Sequence, residues 1–226
     1  MKAGVLGGTF DPIHLGHLHL ARRTQRLFEL SQVYFVVACT PPHKRVKAII
    51  PFSHRFAMVS LATARQRNFV PSLIELEPPE SPFTIHTLGK LARCDGRSAR
   101  DLYFIAGEDS LLDVSNWRQS EKLLTSYNFI FASRPGVKHV DALALLPPEA
   151  AARLRDLRGL APRELRRRVK LEEQTSENRI FMIDVAALDI SATRIRTLAS
   201  AGKRIDRLVP PSVHEYIQKQ SIYGER

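Results

Sequence analysis

His14 and His17 stand three residues apart with Gly16 between them, just after Gly7-Gly8-Thr9-Phe10-Asp11-Pro12, which itself follows the short apolar run Ala3-Gly4-Val5-Leu6. A strand that ends in paired glycines and turns into a helix gathers bare backbone N–H groups and a positive helix end at one point, which suits bound phosphate. Histidines at this spacing share one face of the helix's first turn. The chemistry this predicts is a pair of imidazoles addressing one anion. Two blander readings stand beside it. A histidine on a helix is commonly a hydrogen-bonded structural residue, and a pair could hold Zn²⁺, although Asp11 is the one further ligand nearby and no residue is assigned to a metal. The string is neither the G-x-x-x-x-G-K-[ST] of a P-loop nor the G-x-G-x-x-G of a dinucleotide fold, and the chain has no G-x-S-x-G elbow for a serine hydrolase.

A second anion site is predicted at Ile190-Ser191-Ala192-Thr193-Arg194-Ile195-Arg196. Ser191 suits the N-cap of a helix, the helix start favours negative charge, and the Arg194 guanidinium is a planar fork matched to phosphate oxygens. Arg196 reads equally well as structural. Gly107-Glu108-Asp109-Ser110 follows the apolar run Leu102–Ala106, and a glycine and acid at the carboxyl end of a strand mark where open α/β sheets bind ligands. Lys44, after Pro41-Pro42-His43, reads alone as an exposed loop cation, and Trp117, the single tryptophan, reads alone as a core residue.

These residues need elements to hold them, and the apolar pattern supplies an alternation of strands and helices. Lys2–Leu6 reads as a strand, Leu15–Glu29 as a helix, and Val33–Ala38 as a near-continuous apolar strand of the kind buried on both faces of a parallel sheet. A helix capped by Ser53 extends to about Arg67, and Leu73–Leu76 is expected to form the third strand. A short helix over Ile85–Arg93 precedes strands at Asp101–Ala106 and Tyr127–Ala132. From Lys138 to Thr175 the composition turns rich in Ala, Leu and Arg, which predicts a helical surface insertion with helices opened by Pro147-Pro148 and Pro162. Arg163, Arg166, Arg167, Arg168 and Lys170 crowd its second helix; they read as a solvated face or as a contact for nucleic acid or an acidic partner. Arg179–Ile183 resumes the sheet, and Pro210-Pro211 opens a last helix through Lys219. The expected fold is α/β, a Rossmann-like open and mostly parallel sheet with helices on both faces, in a single domain over 1–226 with the 138–175 insertion inside it.

The string GGTFDPIHLGHL resembles the T-x-x-H/H-x-G-H signature of the nucleotidyltransferase superfamily, and in its full length the bacterial nicotinate-nucleotide adenylyltransferases. Ile190–Arg196 is similar to that family's I-S-[ST]-T-x-I-R, with Ala192 at a position more often serine. Pro41–Lys44 is similar to its P-x-H-K, Ile105–Leu111 to its I-x-G-x-D-[SA]-L, Ser133–Gly136 to its [SA]-R-P-G and Leu208–Pro210 to its L-V-P. The resemblance implies adenylyl transfer from ATP to nicotinate mononucleotide, with pyrophosphate leaving, in NAD biosynthesis. It implies His14, His17, Lys44 and Arg194 as catalytic groups. Gly7, Gly8, Thr9, Phe10, Gly107, Asp109 and Ser191 would bind ATP, and Thr84, Trp117 and Arg134 the nicotinate mononucleotide. Mg²⁺ would enter mainly through the ATP phosphates. One stretch departs from the pattern: where relatives read S-Y-T-x-D-T-L, this chain has Ser81-Pro82-Phe83-Thr84-Ile85-His86-Thr87-Leu88, with an extra proline and a histidine in place of an acid.

At 226 residues and 44% hydrophobic, the chain is long enough to bury a full core. Its 34 Lys and Arg against 23 Asp and Glu give a formal charge of +11. That suits polyanions, but nucleotides satisfy it as well as RNA or a membrane surface does. No run approaches the length of a membrane helix, no leader peptide is evident, and two cysteines make no disulfide framework, so a cytoplasmic protein is expected. The alternatives are a sister transferase for nicotinamide mononucleotide, phosphopantetheine or a polyol phosphate, and an RNA-binding protein. The latter is disfavoured because the chain has no RNP1-like aromatic motif. The oligomeric state is left open.

Overall fold

The computed structural model describes residues 1–39, 49–76, 83–133, 139–185, 188 and 190–224. Its centre is a seven-stranded sheet in the order β3-β2-β1-β4-β5-β7-β6, parallel throughout. The strands are β1 (Ala3–Gly8), β2 (Gln32–Val37), β3 (Phe69–Ser72), β4 (Leu102–Gly107), β5 (Asn128–Ser133), β6 (Leu154–Asp156) and β7 (Ile180–Asp184). Parallel strands need crossovers, and these are helical: α1 (Leu15–Leu27), α2 (Phe52–Thr63), α3 (Thr84–Asp95) and α4 (Ser120–Ser126) lie between successive strands, α5 (Ala142–Leu145) and α6 (Pro148–Ala151) precede β6, and α7 (Pro162–Glu173) precedes β7. The chain closes with α8 (Ala192–Ser200) and α9 (Pro211–Lys219).

Alternate residues of each strand feed two separate cores. Leu6, Phe35, Ile105, Ile130 and Phe181 pack against α1, α2 and α7–α9, while Val5, Tyr34, Phe104, Phe129 and Met182 pack against α3–α6. This two-sided burial is why the strands read as continuous apolar runs instead of alternating ones. Each fully buried Leu, Ile or Phe side chain contributes about 1.5–3 kcal/mol. The sheet grows outward from β1 in one direction through β2 and β3 and from β4 in the other, so the crevice between β1 and β4 is its switch point.

Three expectations are corrected. Pro51, not Ser53, is the N-cap of α2, which ends at Thr63 instead of near Arg67. The third strand is Phe69–Ser72, not Leu73–Leu76: Pro71 sits in it because an edge strand tolerates a missing donor, and Leu73 and Leu76 are exposed turn residues. The segment from 138 to 175 is not helical throughout. It supplies the edge strand β6, paired to β7, and Leu165 and Val169 of α7 are buried in the first core. The basic residues of α7 are exposed, with Glu164 paired to Arg167 and Arg168, and Lys170 paired to Glu29.

Candidate active site

One cavity of about 560 Å³ opens at the carboxyl ends of the central strands. Gly7 and Gly8 of β1, Ala38 after β2, Gly107 of β4, Ala132 and Ser133 of β5 and Val185 after β7 all border it. Of the residues the sequence singled out, the cavity brings together Gly7, Gly8, His14, His17, Thr84, Gly107, Asp109 and Trp117. Lys44 and Arg134 lie outside the described residues.

The pairing of the two histidines is set by local geometry. His14 is the N-cap of α1, and its backbone N–H donates to Nδ1 of His17 at 3.2 Å. An accepting Nδ1 puts the proton of a neutral His17 ring on Nε2, so the ring offers an N–H donor on its other side. The two rings stack with centroids 3.7 Å apart, and the edge of Phe10 meets His17 at 5.0 Å. Gly16 leaves room for this stack. A Cβ there would lie 3.0 Å from His14 Nδ1 and 3.1 Å from its Cε1, so any side chain would push the ring away. Phe10 itself is 2% exposed, with its ring over Gly8 and a backbone φ of 49°. Its side chain is therefore core, and what it brings to the site is the shape of the turn.

A buried arginine braces this wall. Arg55, on the apolar face of α2 and 2% exposed, donates to the carbonyls of Thr9 (2.9 Å), Ala38 (2.8 Å) and Ile50 (3.1 Å), tying together the chain ends after β1 and β2. Burial lowers its pKa below the ordinary arginine value, the nearby acids Asp11 and Glu75 opposing that shift. The signal in the sequence is an arginine inside the stripe formed with Met58, Val59 and Ala62. On the other flank Arg196 donates to the Asp11 carbonyl at 2.8 Å, and the Asp11 carboxylate accepts from Tyr223 at 2.6 Å. Arg196 is thus structural.

Ser191 caps α8 by accepting from the Arg194 N–H at 3.2 Å. Ile190, one residue earlier, borders the cavity, and its carbonyl lies 3.8 Å from where a Gly16 Cβ would stand. The start of α8 therefore adjoins the histidine turn, with Arg194 exposed at the rim rather than lining the cavity. Thr9 likewise sits beside the cavity without lining it.

The facing wall is assembled across long distances in the chain. Thr84 opens α3, and Thr87 one turn later donates to Glu75 Oε1 at 3.1 Å, while Oε2 of Glu75 accepts from the Cys39 N–H at 3.0 Å. Burial pushes the Glu75 carboxyl above the ordinary glutamate range, and the hydrogen bonds and Arg55 only partly offset it. His86, at the departure from the family pattern, does not line the cavity and meets the Phe83 ring edge-on. Trp117 is half-buried, packs edge-on against Phe104 with centroids 5.7 Å apart and lines the cavity with Asn116 and Arg118. Asp109 Oδ1 folds back over Gly107 and lies 2.3 Å from where a Cβ would stand, so a side chain at 107 would turn the Asp109 carboxylate aside. Arg55, Glu75, Asn116 and Arg118 were not singled out from the sequence.

Among the described residues no three His, Cys, Asp or Glu side chains cluster as metal ligands, and no helix is long and apolar enough to cross a membrane.

Residues 5–198 match the cytidylyltransferase-like family model. The chain is 39% identical over 225 residues to the probable nicotinate-nucleotide adenylyltransferase of Pelobacter propionicus, covering 100% of this chain and 99% of that one. It is 37% identical to the probable nicotinate-nucleotide adenylyltransferase of Geobacter sulfurreducens, covering 99% of each. Its fold is similar to that of the Plasmodium falciparum nicotinic acid mononucleotide adenylyltransferase solved with NaAD, at a TM-score of 0.68 and 18% identity over 98% of this chain and 97% of that one. Full-length likeness at these identities makes this chain a member of the nicotinate-nucleotide adenylyltransferase family.

Proposed function

We propose that this cleft joins ATP to nicotinate mononucleotide, giving nicotinate adenine dinucleotide and pyrophosphate in NAD biosynthesis. The observation that carries the reading is that one cavity holds the His14–His17 stack beside the Gly7-Gly8 turn on one wall and Thr84 with Trp117 on the other. Its size is that of a ligand site. The 5′-phosphate oxygen of the mononucleotide attacks the α-phosphorus of ATP, the new P–O bond forms as the bond to the β-phosphate oxygen breaks, and pyrophosphate leaves with the electron pair. A phosphate dianion is already nucleophilic at neutral pH, so no side chain has to take a proton or form a covalent intermediate. Positioning and charge stabilisation then carry the catalysis.

In this scheme His17 presents Nε2–H to the oxygens around the reacting phosphorus, held in that tautomer by the His14 backbone, and His14 stacks beside it. The Gly7-Gly8 turn lets phosphate approach the backbone, while Ser191, Arg194 and Lys44 receive the pyrophosphate. Gly107 and Asp109 meet a ribose. Trp117 stacks on the pyridine ring, Thr84 at the start of α3 meets its carboxylate, and Arg134 adds charge at the acceptor side. Mg²⁺ fits as a companion of ATP: a hard cation takes oxygen ligands, and the phosphates and water supply them without a protein cage. When bound it neutralises phosphate charge. We read residues 1–226 as one nucleotidyltransferase domain acting in the cytoplasm, in keeping with the free thiols Cys39 and Cys94.

ATP labelled in its α-phosphate tests the reaction. The label is expected in the dinucleotide, formed one-for-one with unlabelled pyrophosphate; label released as AMP without dinucleotide would contradict adenylyl transfer.

A further inference from the structure

The segment joining β5 to β7 makes a connection that the motifs do not account for. Glu108 lies between Gly107 and Asp109 and opens a 3₁₀ segment, Glu108–Asn116, that leads directly into Trp117. While Asp109 faces the cavity, Glu108 turns away into the inserted segment and is 6% exposed. Its Oε1 accepts from Arg158 Nη1 at 2.5 Å and from the Val140 N–H at 2.9 Å, and His139 Nδ1 lies 3.4 Å from Oε2. Arg158 is itself enclosed and also bonds the Val140 carbonyl at 3.3 Å. Asp156, on the solvent side, pairs with its other nitrogens, and the next residue, Gly159, donates to Asp184 at the end of β7 at 2.7 Å. The carboxyl ends of β4 and β7 are thus tied to one short stretch of the insertion.

From this geometry we propose that the Glu108–Arg158 pair is a positioning device: it fixes the 3₁₀ segment, and with it Asp109 and Trp117, so that the insertion serves the nucleotide cleft from behind. The proposal rests on the reading of Asp109 and Trp117 as nucleotide contacts. An ion pair this enclosed has to be kept whole, because removing one partner leaves the other charge buried alone. It belongs to no reacting atom. Asp109 and Trp117 would touch the ribose and the pyridine ring, parts of the substrates that do not change in the reaction, so loosening them weakens ground and transition states alike. The expected signature is a raised KM with kcat preserved.

The test uses the full chain, with Glu108→Gln, Arg158→Ala and their double variant. Each single variant should raise KM for the mononucleotide and ATP by about five- to tenfold with kcat held within about twofold, and the double variant should be no worse than the worse single, as coupled residues require. Arg158→Lys, which keeps the charge, should recover most of the loss. Trp117 is the only tryptophan, so its emission reports on the segment without any assay of the reaction. In the ligand-free protein it should shift to the red and become easier to quench with acrylamide in the two single variants. This readout stands even if the parent does not adenylylate nicotinate mononucleotide, which would overturn the functional reading instead. Should the buried substitutions fail to fold, Asp156→Asn loosens Arg158 from the exposed side and is expected to give the same emission shift in smaller measure. Parent-like KM and emission in folded variants, additive effects in the double variant, or a fall in kcat at unchanged KM would overturn the proposal.

Discussion

At the histidine wall of the cleft, four consecutive residues do most of the positioning: His14 caps α1, its N–H orients His17, and the bare Cα of Gly16 leaves room for the stack. At the acceptor wall nothing is that local. Glu75 joins residues 36 and 12 positions away, and Glu108 reaches a partner 50 positions away. The difference matches the two tasks assigned to them. A group that must meet a developing charge within a few tenths of an ångström is best held by its own turn of helix, with few intervening joints. A wall that shapes itself to a ring and a ribose is set by how separate elements meet, so its shape depends on contacts far apart in the chain.

The comparison breaks most sharply at His17. His17→Ala is expected to lower kcat about a hundred- to a thousandfold, the cost of about 2.7–4 kcal/mol for one transition-state donor, with little change in Tm. Steady-state rates and a thermal melt on the same preparation check it, and a folded variant with near-parent turnover would take His17 out of the site. Gly16→Ala should come next, at about tenfold to a hundredfold in kcat, because its methyl displaces the His14 ring without removing either imidazole. Unchanged kcat there would mean that the stack has no part in the reaction. Across the cleft, Trp117→Ala should weaken binding of nicotinate and nicotinamide mononucleotides alike, by about tenfold, since a ring stack is worth about 1–3 kcal/mol. Acceptor titrations at saturating ATP read this as KM, and a selective loss of one acceptor would assign Trp117 to carboxylate recognition instead.

What could be read from the sequence follows the same division. The His14–His17 turn, the Ser191 cap and the βα alternation were legible because each is specified within a few residues. Strand β3 was misplaced because the apolar run at Leu73–Leu76 outshone Phe69–Ser72, whose Pro71 argues against a strand unless the edge position is known. Strand β6 is three residues long, two of them charged, and only its pairing with β7 makes it a strand. Glu75 and Glu108 are charged residues whose burial depends on partners far along the chain, so no local pattern marks their roles, whereas Arg55 stands in the apolar stripe of α2 and was open to notice there.

The smallest effects concern those two carboxylates, whose pKa values move in opposite directions. Burial holds Glu75 above the ordinary glutamate value, so the folded state favours its neutral form, and that contribution is present at low pH and lost as pH rises through the shifted value. For Glu108, burial pushes upward, but its polar neighbours Ser133, Val140 and His139 together with the Arg158 charge outweigh it and hold the carboxyl low. Its stabilisation is present above the ordinary glutamate value and lost as pH falls through the depressed one. Melting curves from acid to neutral pH should therefore separate the variants: Glu75→Gln gains relative to the parent as pH rises, and Glu108→Gln loses. Parallel curves for both would mean that the two sites do not differ.

The most direct test of the division between the walls is the ratio of kcat/KM for nicotinate and nicotinamide mononucleotides in the parent protein. The two acceptors differ only in a carboxylate against a neutral amide. On the proposed reading, backbone N–H groups at the start of α3 would satisfy the former, whereas the amide would turn its own NH₂ toward one of those donors and leave it unpaired. An unpaired buried polar group costs about 1–3 kcal/mol, so a preference of at least about tenfold for the nicotinate form is expected. Equal use of the two acceptors would contradict both the substrate assignment and the selective role given to the Thr84 wall.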